Sequence, residues 1–277
     1  MARSARDPWR DGAAPHVPAR LGTLPGVCLL PGDPARVDLA ARVLADFEIR
    51  GQNREYRLGV GRLRGTPIAV CSTGIGGPST EIAIVELARL GVTTVLRTGG
   101  MGALRERIAP GTVCAVTAAV PGGGAASWYA ADTGSPTGTG TGGRTADAQV
   151  TRALHAQAAS LGIGLTEVTV ASADSYYLGQ GRPLAGYERE AAERYSALRA
   201  LGVDGVDMET ETVLAVGRAM GLRAGALLVA HANRVTDGWL EDYEPAQLDM
   251  LRLAAHAARA LADPVPASTP PAAGGRP

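Results

Sequence analysis

The chain of 277 residues contains no lysine; all 27 of its basic residues are arginine. That absence excludes Schiff-base chemistry, a phosphate-loop lysine and a lysine general base, so any bound anion is held by Arg or by backbone N–H groups. Cysteine is scarce too. Cys28, Cys71 and Cys114 each sit in an apolar run (VCLL, AVCST, TVCAV), and an odd number without ligand-like spacing argues against a disulfide framework or a zinc site. They read as buried strand thiols. An excess of either charge is missing as well: 27 acidic residues balance the 27 basic ones, which leaves no electrostatic footprint for nucleic acid or an anionic membrane. No apolar stretch approaches the ~18–20 residues a membrane span requires. The opening MARSARDPWRDGAAPH lacks the apolar segment of a signal peptide. The expectation is a soluble, cytoplasmic protein with no nucleic-acid polymer and no membrane among its partners.

What the chain does contain is alternation. Residues 1–22 are Arg-, Ala- and Pro-rich and read as a mobile arm; 266–277, PASTPPAAGGRP, read as a disordered tail. Between them, 23–265 read as one domain of strands and helices in turn. VCLLP (27–31) leads to a helix-like DPARVDLAARVLADF, with Asp33 as N-cap and Pro34 at the first helical position. PIAVCS (67–72) leads through a Gly-rich turn into PSTEIAIVELARLG, closed by Gly91. VTTVLR (92–97), TVCAVT (112–117), LTEVTVAS and AGALLVAH read as strands. ADAQVTRALHAQAASLG, YEREAAERYSALRALG, METETVLAVGRAMG and EPAQLDMLRLAAHAARALA read as helices, and 122–143 as a loop. This is an α/β domain with a largely buried sheet, whose site should lie where loops leave the strand ends.

Four strand-end segments could carry chemistry. In LLPGDPARV, Gly32 and Arg36 either cradle a small anion or form an ordinary turn. STGIGGPST lacks the third spaced glycine of a dinucleotide fingerprint and reads better as a packing turn. In VLRTGGMGAL, Arg97 ends an apolar strand and could join Arg36 on a doubly charged anion such as phosphate. In SADSYYLGQGR, Gln180 and Arg182 could read the donor and acceptor edge of a planar base, or face solvent. The acidic run from Asp207 to Glu211 opens a helix, where the macrodipole alone accounts for negative charge.

Taken together, PGDPARV, NREY, CSTGIGGPSTEIAIVEL, LRTGGMGAL, SADSYYLGQGR, DMETET and the Asn-Arg at 233–234 resemble the nucleoside phosphorylase superfamily, and within it the uridine phosphorylases, from about Gly26 to Ala262. The resemblance implies a three-layer α/β/α fold with a central mixed, partly barrel-like sheet. It also implies phosphate-dependent cleavage of uridine, or a modified uridine, to uracil and a pentose 1-phosphate. Inorganic phosphate would be co-substrate, with no metal and no other cofactor. By position, Gly32, Arg36 and Arg97 would line the phosphate, with Arg54 reaching a neighbouring subunit's site. Met208 and Glu209 would hold the ribose, and His16 would contact it across the dimer interface. Tyr176 would stack near the base, and Gln180 and Arg182 would read uracil. Arg97, Glu209 and Arg36 would carry catalysis. The dimer would be the minimum active unit of a homo-oligomer that the family usually builds as a hexamer.

Two positions depart from that pattern. Gly99 and Gly100 stand where the family has a glycine–threonine pair, removing a hydroxyl. His231, in HANR, stands where uridine enzymes place an apolar residue against the base, so it is a base contact or a structural histidine. These departures suggest a uridine altered at the sugar 5′ position, as in nucleoside-antibiotic pathways. Competing readings are a purine-type phosphorylase, a hydrolytic nucleosidase, a non-catalytic nucleoside-binding relative and a dinucleotide-dependent oxidoreductase.

Overall fold

A computed structural model describes residues 4–129 and 144–262. The tail expected at 266–277, and most of the loop expected at 122–143, lie outside the described residues. The strands are β1 (Val27–Pro31), β2 (Ala45–Asn53), β3 (Tyr56–Leu63), β4 (Thr66–Cys71), β5 (Thr94–Ala103), β6 (Val113–Val120), β7 (Thr166–Ser172), β8 (Gly205–Asp207), β9 (Arg223–Asn233) and β10 (Gly238–Trp239). The helices are α1 (Ala35–Asp38), α2 (Gly77–Arg89), α3 (Gly124–Ser127), α4 (Ala148–Leu161), α5 (Glu188–Ala200), α6 (Thr210–Ala219) and α7 (Glu244–Leu261).

The described strands form one mixed sheet in the order β10-β9-β6-β7-β8-β5-β1-β4-β3-β2, and a further β9–β5 pairing closes β9, β6, β7, β8 and β5 into a ring. Side chains alternate across it. Cys28, Leu30 and Val95 face a core shared with Ile84 and Leu87 of α2 and Val213 and Leu214 of α6. Leu29, Val70 and Leu96 face the opposite core, with Leu154 of α4 and Leu251 and Leu253 of α7. Period-two runs buried on both faces are what a sheet between two helical layers demands. The architecture is therefore the expected α/β/α sandwich with a partly barrel-like sheet. No helix among the described residues is long and apolar enough to cross a membrane.

Three stretches differ from the sequence reading. The helix expected from Asp33 runs only through α1 and a tight 3-10 turn to Arg42, and the chain then turns into β2. The single phenylalanine, Phe47, explains the change: its ring covers Gly59 and Gly61 of β3, where added Cβ atoms would come within 2.3 and 2.9 Å of it. That packing requires a strand alongside β3. Second, the strand of Arg97 does not end there but continues through Gly99 and Gly100 to Ala103. Third, the N-terminal segment lies against α2 along its second half. Val17 is fully buried, and the backbone N–H groups of His16 and Val17 donate to the Glu86 carboxylate at 3.1 and 2.7 Å.

The topology opens a gap at one place. Along one edge of β5, Thr94–Thr98 pair with β1, and Gly102 and Ala103 pair with β8. Neither strand stands beside Gly99–Met101. The loops leaving β1 and β8 diverge around that interval, which makes it a switch point where α/β sheets place their ligands.

Candidate active site

A cavity of 680 Å³ occupies this gap. Gly32 and Arg36 reach it from the end of β1, Arg97 and Gly100 from β5, Met208 and Glu209 from the end of β8, Tyr176, Gln180 and Arg182 from the loop after β7, and His231 from β9. Its volume suits a small molecule. The glycine turns after β1 and β4 are tied together: the Thr73 N–H donates to the Pro31 carbonyl and the Gly74 N–H to that of Gly32, both at 2.9 Å. Asp33 accepts from the Ala35 N–H at 2.9 Å, so it caps α1 from one residue further out than a standard N-cap.

The three carboxylates at 207, 209 and 211 have separate tasks, which a helix dipole does not describe. Asp207 Oδ2 accepts from Arg97 Nε at 3.1 Å and from the Thr210 N–H and hydroxyl at 3.0 and 2.5 Å, while Oδ1 accepts from the Ser172 hydroxyl at 2.5 Å. Glu209 accepts from the Arg97 guanidinium and, at 2.7 Å, from the Gly76 N–H. Arg97 is thus fixed between two carboxylates. Burial raises the Glu209 carboxyl above its ordinary value, opposed by the Arg97 charge and reinforced by Asp207. Burial and the like charge of Arg97 together lower the pKa of Arg36. Glu211 points elsewhere: it accepts from Arg144 Nε at 2.6 Å and from the Gly122 and Gly123 N–H groups at 2.8 and 2.6 Å.

At the far end the Arg182 guanidinium lies 4.0 Å over the Tyr176 ring, and its buried Nε has no hydrogen-bond partner among the described residues. Gln180 is buried, its amide donating weakly to the Asp207 carbonyl at 3.4 Å. Arg234 anchors this loop by donating to the carbonyls of Gln180 and, at 2.9 Å, Gly181. Asn233 anchors the other side, donating to the Arg105 and Ile108 carbonyls at 2.8 Å each. The Asn-Arg pair at 233–234 therefore positions two segments, the Gln180 loop through Arg234 and the turn after β5 through Asn233, rather than lining the cavity.

The glycines that prolong β5 make room for side chains. A Cβ on Gly99 would stand 2.6 Å from Arg97 Cζ, and one on Gly100 only 2.4 Å from His231 Cε1. The space vacated at position 100 is filled by an imidazole. His231 owes its orientation to a bulge, since Met101 pairs with Ala230 and Gly102 with Ala232, leaving His231 without an opposite number on β5. Its ring packs edge-on against Tyr243 at 5.1 Å, and burial, then the charges of Arg36 and Arg97, lower its pKa to about 4.

His16 and Arg54 stand outside this cavity. His16 Nδ1 meets the buried Glu86 carboxylate at 2.7 Å. Arg54 is exposed at the β2–β3 turn with φ of 54°. The sequence reading missed the tasks of Ser172, Asp207, Glu211, Arg144 and Arg234. Ser172 and Arg234 fell inside segments that carried the resemblance but were given no task, and the acidic run was accounted for by the helix dipole.

The model of the phosphorylase superfamily matches residues 27–265. The chain belongs to that superfamily. It is 38% identical over 234 residues to a uridine phosphorylase of Thermococcus kodakarensis, covering 84% of this chain and 82% of that one. The uridine phosphorylase of Escherichia coli is 36% identical over 212 residues (75% of this chain, 80% of that one). A guanosine phosphorylase of Halorubrum lacusprofundi is 32% identical over 224 residues (80% and 84%). Among solved structures, a purine nucleoside phosphorylase of Toxoplasma gondii in complex with immucillin-H superposes with a TM-score of 0.77 at 26% identity, covering 91% of this chain and 98% of that one. The chain is an enzyme of the pentosyltransferase kind.

Proposed function

We propose that the protein is a uridine phosphorylase. A phosphate oxygen forms a bond to C1′ of the nucleoside as the C1′–N1 bond breaks. The bonding pair leaves on uracil, which then takes up a proton, and the pentose leaves as its 1-phosphate. The observation that carries this reading is the cavity's polarity from end to end: Arg36 and Arg97 at one end, Glu209 between, and at the other Gln180 with an Arg182 that stacks on Tyr176. Arg36 and Arg97 hold phosphate for in-line attack and Glu209 holds the pentose. Gln180 and Arg182 stabilise charge growing on uracil, so that positioning and preorganised electrostatics supply the rate. No cofactor enters this reaction.

The charge balance favours a shared site. Asp207 and Glu209 already engage Arg97, so a phosphate dianion gains from a further cation such as Arg54 of a second subunit. A homo-oligomer, at least a dimer, follows from that reading, working in the cytoplasm in pyrimidine salvage. The identity to uridine phosphorylases favours unmodified uridine over a 5′-altered nucleoside and over binding without turnover. Uracil release from uridine, followed by ultraviolet absorbance with and without phosphate, tests the proposal, with guanosine as the competing substrate. Phosphate-dependent release from uridine is expected; faster cleavage of guanosine, or release indifferent to phosphate, overturns it.

A further inference from the structure

His231 is the one histidine in the cavity, and three observations give it a task. Its Nε2 is buried and has no hydrogen-bond partner among the described residues. A buried polar atom of that kind costs stability unless something pairs with it. The bulge in β9 holds the ring over Gly100, and the Leu240 N–H donates to the His231 carbonyl at 2.8 Å, pinning the backbone that carries it. Third, the ring belongs to the arginine end of the cavity. His231, Arg36 and Asp33 line both the main cavity and an adjoining cleft bounded by Tyr243 and Glu244, a cleft that Tyr176, Gln180 and Arg182 do not reach.

We propose that His231 Nε2–H donates a hydrogen bond to the phosphate co-substrate, and through the leaving direction to the 1-phosphate of the product, so that it acts on the anion and not on the base. A neutral imidazole suits this place: it supplies a donor beside Arg36 and Arg97 without adding a third buried positive charge when the site is empty. Gly100 is then part of the same device, because any side chain there displaces the ring. The inference rests on phosphate being the co-substrate. Its test therefore reads phosphate binding directly as well as turnover.

Calorimetric titration of the full-length protein with inorganic phosphate, alongside separate KM values for phosphate and uridine, tests the assignment in His231→Leu and His231→Gln. The leucine variant fills the space without a donor and should weaken phosphate binding about tenfold or more, with uridine KM changed less than about threefold. Glutamine returns an N–H donor and should recover most of the loss. Should the leucine variant fail to fold, Gly100→Ala displaces the ring from its seat and reads the same weakening. Unchanged phosphate affinity in His231→Leu, or a loss confined to uridine KM, overturns the proposal. If the wild type binds phosphate through His231 but does not cleave uridine, the nucleoside assignment fails and this one stands.

Discussion

Replacing Arg144 with methionine removes one half of a buried ion pair that lies outside the cavity. The Glu211 side chain is fully buried and that of Arg144 is 9% exposed, so water does not compensate for the lost charge. Breaking such a pair from one side costs about 3–5 kcal/mol; two backbone N–H groups, of Gly122 and Gly123, remain on Glu211 and favour the low end of that range. The loss should depend on pH, with a predictable sign. Burial raises the Glu211 carboxyl, while those N–H groups and Arg144 lower it again, so its pKa rises further when Arg144 is gone. Above the unfolded-state value of about 4.3, the folded variant keeps a proton that the unfolded chain has released. Wild-type Glu211 is itself raised, so the two proteins lose stability alike up to the wild-type folded value. Between that value and the variant's higher one, the variant's stability relative to wild type falls by up to about 1.4 kcal/mol per pH unit. Urea unfolding of both proteins at pH 5 and pH 8, at matched concentration, measures this. A deficit under about 1 kcal/mol, or one of equal size at both pH values, would refute the reasoning.

Gly99→Ala places a methyl 2.6 Å from the Arg97 guanidinium carbon and should lower kcat/KM by about 100-fold or more, with the fold retained by circular dichroism. Arg234→Met releases the Gln180 and Gly181 carbonyls and should raise the KM for nucleoside about tenfold while leaving that for phosphate within about twofold, as steady-state kinetics would show. Cys28, Cys71 and Cys114 are buried, and burial pushes the Cys71 and Cys114 thiols up to about 12, so none should react with an aromatic disulfide reagent until the protein is unfolded.

How much was legible depended on how local the cause was. The helix from Gly77 to Arg89 announces itself in sequence because its proline start and apolar face lie within it and its Gly91 stop just beyond. The fate of 43–53 does not, because it is decided by Phe47 meeting glycines on a strand still to come. Arg36, Gln180 and Arg182 could be picked out because each follows a strand, and Arg97 because it ends an apolar run inside one; the cavity brings them together. The tasks of Asp207 and Glu211, and the protein partners of Glu209, were hidden because those partners lie far along the chain, at Arg97, Gly76 and Arg144. Both departures at Gly100 and His231 were visible singly. That they are one feature is a matter of register, set by a bulge that no composition or spacing reveals.

The contact between Gly100 and His231 also orders the substitutions open to this chain. With the imidazole in place, even alanine at position 100 meets it at 2.4 Å, so mutations that enlarge position 100 first are penalised at once. Shrinking position 231 first meets no such clash, and enlarging position 100 becomes tolerable only afterwards. The same pair of changes is thus passable in one order and obstructed in the other. A deep mutational scan repeated in a His231→Ala background should show position 100 change from forbidding to permissive.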